Sequence, residues 1–74
     1  MIEKSYSEKL IKQVWEKGKI VPSNDPAIFR KDDCGAWIRR NSYGDRKSSF
    51  GWEVDHIKPV ANNGTYDIGN LRPL

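Results

Sequence analysis

Sulfur and imidazole are both scarce in this chain. One cysteine, Cys34, and one histidine, His56, occur among 74 residues. A single cysteine excludes an internal disulfide, and one cysteine with one histidine cannot build a Cys₄ or Cys₂His₂ zinc site. Small domains often depend on such staples, so this one relies on a thin core. No apolar run reaches the roughly 18 residues that span a bilayer, so no membrane partner is expected. No segment reads as a secretion signal, and an unpaired thiol fits a reducing, cytoplasmic setting. Internal repeats, low-complexity tracts and linkers are also missing. The length is that of one domain, residues 1–74.

What is present is mildly basic, with 13 Lys and Arg against 10 Asp and Glu. A net charge of +3 is by itself weak evidence for a polyanionic partner. Position says more. Arg39, Arg40, Arg46, Lys47, Lys58 and Arg72 flank the stretch that holds the histidine. The competing reading is a solvated basic face that keeps the chain soluble.

Ser5 and Glu8 have capping-box spacing, and Tyr6, Leu10, Ile11, Val14 and Trp15 recur at helical intervals. This predicts a leading helix that stops near Gly18. Ser23-Asn24-Asp25-Pro26 reads as a turn, and residues 27–31 as a helical turn or an irregular link. Cys34 to Arg40 and Phe50 to Ile57 read as strands, with Trp52, Val54 and His56 sharing one face of the second. Pro59 ends that strand, Asn62-Asn63-Gly64 makes a turn, Thr65 caps a short helical turn, and Asn70 to Leu74 is extended. The fold class is α+β: an N-terminal helix packed on short antiparallel strands. Trp37 and Trp52 read as core aromatics rather than stacking platforms, and Cys34 as a buried, inert thiol.

Three residues carry chemistry when taken in order. His56 carries an imidazole, a side chain suited to taking a proton from water as a general base. Asp55 beside it offers hard oxygen ligands of the kind Mg²⁺ or Mn²⁺ prefers. Phosphodiester hydrolysis needs a base and a cation that neutralises charge on the phosphate. Adjacent strand residues point to opposite faces, so the strand is expected to bend or end at Asp55-His56 if both are to converge. The carboxamide of Asn70 bonds donors and acceptors together and is suited to locking the intervening loop onto the histidine strand. Singly, each of these residues is more often ordinary than functional.

Trp52-Glu53-Val54-Asp55-His56-Ile57-Lys58-Pro59-Val60, Asn63-Gly64-Thr65 and Asn70-Leu71-Arg72-Pro73-Leu74 together resemble the first two elements of an HNH nuclease, the ββα-metal fold. Val14-Trp15-Glu16-Lys17, Cys34 to Ile38 and Tyr43-Gly44 are similar to small bacterial members. The resemblance implies that Asp55 binds a divalent metal, Mg²⁺ before Mn²⁺, that His56 is the general base and that Asn70 braces the loop. It implies a nucleic-acid substrate, DNA before RNA, with Arg39, Arg40, Lys58 and Arg72 as phosphate contacts. The family's third element, a His or Asn on a following helix, does not appear before Leu74. The expectation is therefore a domain truncated before its final metal-binding helix. The alternatives are an inactive nucleic-acid-binding or interaction module on a degenerate scaffold, and a partner chain that completes the fold.

Overall fold

A computed structural model describes residues 6–74. The described residues form an α+β fold, one α-helix with two small antiparallel ribbons. Helix α1 spans Glu8–Trp15. Its cap is Ser7, whose Oγ accepts from the backbone N–H of Leu10 at 3.1 Å. The capping box expected from Ser5 lies outside the described residues. The apolar stripe buries Ile11, Val14 and Trp15, with Tyr6 and Leu10 packed at its margin. The helix stops at Trp15, earlier than Gly18. Gly18 is instead a packing position, where an added Cβ would sit 3.1 Å from Arg30 Cβ.

Strand β1, Phe29–Lys31, pairs antiparallel with β2, Trp37–Arg39. Residues 29–31 are thus a strand and not a helical turn. β2 is shorter than the Cys34–Arg40 run because Gly35, at φ +83°, turns the chain. Asp32 fixes that turn: its buried Oδ1 accepts from the N–H groups of Cys34 and Ala36, both at 2.9 Å. Cys34 stands exposed at the tip, contrary to a buried thiol. Ile38 turns inward and is 1% exposed, while Trp37 stays half-buried outside the core. Trp37 is therefore not a core aromatic, whereas Trp52 is.

Strand β3, Val54–His56, pairs antiparallel with β4, Leu71–Pro73. Between them lie 3-10 turns at Val60–Asn62 and Ile68–Asn70. Asn63 closes the first in the left-handed region at φ 66°, a conformation its short polar side chain tolerates. The second starts at Asp67 with no side-chain cap, so Thr65 does not cap it. Leu71, fully buried, joins Ile11, Val14, Trp15, Ile38 and Trp52 in one cluster. Trp15 and Trp52 rings meet at 5.2 Å, and Trp52 Nε1 donates to Arg39 O at 2.8 Å. Lys17 closes the fold by donating from Nζ to the carbonyls of Ile68 and Leu71. This ties the end of α1 to β4. Among the described residues no helix is long and apolar enough to cross a membrane.

Candidate active site

The β3–β4 ribbon is regular. Asp55 faces Arg72 and His56 faces Leu71 in register. The pairing continues outward through mutual Glu53–Leu74 bonds of 3.0 Å and through Ile57 N–H to Asn70 O at 2.8 Å. With partners on both sides of His56, the strand does not bend at Asp55-His56, and Pro59 lies too far along to break it there. Strand alternation then puts Asp55 and Arg72 on one face, and Val54, His56, Leu71 and Pro73 on the other.

On the first face, Arg72 Nε donates to Asp55 Oδ2 at 3.0 Å, while Nη1 stands 3.5 Å from Asp33 Oδ2. One guanidinium bridges the β1–β2 turn and strand β3. The hydrogen bond to Asp55 raises the Arg72 pKa above its usual value; desolvation opposes this, and the charges of Asp55 and Asp33 add to it. Asp33 is exposed and Asp55 partly so, and solvent screening limits what the pairs contribute to stability.

On the second face, the His56 ring meets Tyr66 edge-on, with centroids 4.6 Å apart and planes at 89°. Its Nε2 is shut off from solvent and finds no hydrogen-bond partner among the described residues. Tyr66 also approaches Tyr6, at 6.5 Å. Nothing in the sequence spacing marks Tyr66 or Asp33 as neighbours of this site, because both arrive through loops whose path depends on packing.

Asn70 uses its whole carboxamide. Oδ1 accepts from Lys58 N–H at 2.8 Å, and Nδ2 donates to Lys58 O at 3.1 Å and Thr65 O at 2.8 Å. Both ends of the 58–65 loop are thereby tied to the start of β4. Gly64 allows the closure, since a Cβ there would fall on the carbonyl oxygen of Lys58.

The four basic residues separate into two groups. Lys58 is exposed beside the Asn70 brace, and Arg72 is held by two carboxylates. Arg39 and Arg40 belong to the other ribbon. Arg39 is exposed, while Arg40 pairs with Glu8 and lies 6.0 Å from the Trp52 ring.

A divalent cation finds one ligand position here. No group of three or more His, Cys, Asp or Glu comes together among the described residues. The space between Asp33 and Asp55 is filled by the Arg72 guanidinium. These side chains do not form a closed metal site, since Mg²⁺ on one carboxylate keeps most of its water.

Comparison with protein families matches residues 42–74 to the model described as HNH endonuclease. Comparisons with curated proteins and with solved structures give no significant match. The matched segment begins just after the first ribbon and contains β3, the braced loop and β4, with Asp55, His56 and Asn70 inside it. Residues 42–74 of this chain are a domain of the HNH endonuclease family.

Proposed function

We propose that this protein is a metal-dependent endonuclease that hydrolyses phosphodiester bonds in nucleic acid, DNA before RNA. The supporting observation is the family match over the segment that carries Asp55, His56 and Asn70 in order. His56 is the general base in this reading. Its Nε2 has no hydrogen bond among the described residues to break before taking a proton from water, and water must first reach it. Asn70 positions the histidine strand by holding the loop that follows it. Arg39, Arg40, Lys58 and Arg72 contact phosphates. The family typically uses a divalent metal. Asp55 is its proposed contact, Mg²⁺ before Mn²⁺, and the metal would neutralise charge on the phosphate. The exposed Cys34 thiol suits a reducing, cytoplasmic setting.

Supercoiled plasmid incubated with the full chain and Mg²⁺ tests this. Nicking by the wild type that disappears in His56→Ala and Asp55→Ala supports it. Nicking that persists in His56→Ala overturns the assignment of the base. A second reading, a non-catalytic nucleic-acid-binding module, is favoured by the Asp55–Arg72 pair and the covered imidazole. It predicts intact plasmid with salt-sensitive binding unchanged in both variants.

A further inference from the structure

Apart from Arg39, the outer face of the β1–β2 ribbon has no role in the site described above. Alternation and register place four residues there. Phe29 lies opposite Arg39, and Lys31 opposite Trp37, while Arg30 and Ile38 turn the other way. Aromatic and basic side chains thus form a checkerboard. Phe29 meets Trp37 edge-on at 6.2 Å and Phe50 at 5.6 Å, planes near perpendicular. Lys31 Nζ stands 4.8 Å from the Trp37 ring centroid. Asn24, Phe29, Trp37 and Phe50 line a hollow of about 180 Å³. That is below the roughly 300–1,000 Å³ of small-molecule pockets, so it suits a single flat ring. Neither Lys31 nor Arg39 makes an ion pair among the described residues, so both cations remain for an anion.

We infer that this face is a binding surface for single-stranded nucleic acid, in which an unpaired base stacks against Trp37 and Phe50 while Lys31 and Arg39 take the adjoining phosphates. Stacking on exposed aromatics flanked by cations is the chemistry that holds single strands without regard to sequence. The carboxamide of Asn24 adds a polar group at the rim. The ribbon is continuous with the candidate active site, because Asp33 in its turn lies 3.5 Å from the guanidinium that holds Asp55. The inference rests on the nucleic-acid reading above, and extends it to a substrate with unpaired bases.

Fluorescence anisotropy tests it, with a labelled oligothymidylate 12-mer and a 12-base-pair duplex. Both are titrated with the full chain in EDTA, so that cleavage plays no part. Trp37→Ala is expected to weaken single-strand binding about tenfold, Trp37→Phe to keep most of it, and duplex affinity to change little in either variant. Trp37 lies outside the buried cluster, and a thermal melt confirms that each variant folds. Single-strand binding unchanged in Trp37→Ala overturns the proposal. So does equal loss for strand and duplex, or a concentration-dependent dimer that Trp37→Ala abolishes, since the face would then be a contact between copies. Plasmid left intact while Trp37-dependent binding persists would remove the nuclease reading and leave this one standing. Binding of neither oligonucleotide would remove both.

Discussion

Arg72 donates to Asp55 across the β3–β4 ribbon while its other edge reaches Asp33, so the acid proposed as the metal contact is already engaged by a cation. Any divalent ion must compete with that guanidinium. Arg72→Ala should therefore raise Mn²⁺ affinity, by about two- to fivefold for a partly exposed pair. The same change should weaken DNA binding and lower its salt dependence, if Arg72 also serves a phosphate. Electron paramagnetic resonance of free Mn²⁺ reads the first effect. Unchanged affinity would mean that Asp55 is not where the ion binds.

Asn70 makes a sharper prediction. Replacing it with alanine leaves the amide and carbonyl of Lys58 and the carbonyl of Thr65 without their side-chain partner. The expected cost is about 1–3 kcal/mol, with partial relief by water because the loop is exposed. Asn70→Asp keeps the acceptor but sets a carboxylate oxygen against the carbonyls of Lys58 and Thr65, so it should cost at least as much as alanine. Urea denaturation measures the cost. Faster exchange of the Lys58 amide proton would localise it.

The legible parts of this fold are those set by local chemistry. The stripe from Tyr6 to Trp15 fixes α1 because side chains at that spacing share a face. The turn at Asn63 was readable because Asn and Gly tolerate the left-handed conformation it adopts. A carboxamide at position 70 invited a bracing reading because it donates and accepts at once. Features decided by long-range pairing were less legible. Residues 29–31 carry no alternating pattern and become a strand only through Trp37–Arg39. Asp55 and His56 looked convergent only if the strand ended between them. The ladder to Arg72 and Leu71 keeps it straight, and nothing local to residues 55–56 announces that partner. Ser7 caps α1, at a position that propensity alone does not single out.

Gly64 tests the same loop sterically. An added Cβ would collide with backbone at Lys58 and Pro59, which cannot move aside as a flexible side chain would. Gly64→Ala should cost about 1–3 kcal/mol and displace the loop, while Gly69→Ala, which meets nothing within 4 Å, should be nearly silent. Thermal melts of the pair give the comparison. Equal melting temperatures would show that the loop path differs from this one.

Tyr6 supplies a pH dependence. Burial first, and the charge of Tyr66 second, raise its phenol pKa above the ordinary value. The stability tied to its neutral form is fully present below the unfolded tyrosine pKa of about 10. It is lost as the pH rises through the higher folded value. Wild type should therefore lose stability above about pH 10 more steeply than Tyr6→Phe. Denaturation series across that range check the sign.

His56 separates stability from function. Its Nε2 is enclosed without a hydrogen bond, and an unsatisfied buried polar atom costs about 1–3 kcal/mol. The ring contributes packing against Tyr66 that an apolar side chain of similar size can replace. His56→Phe is therefore expected to hold or raise stability by about 1 kcal/mol, a rise of about 4–8 °C in melting temperature for a domain of this length. Nicking of plasmid should be abolished in the same variant. A structural histidine would give the opposite pattern, with lower melting temperature and retained nicking. Calorimetry and plasmid nicking on one preparation distinguish the two, because a residue kept at a cost to the fold should yield stability when the chemistry is removed.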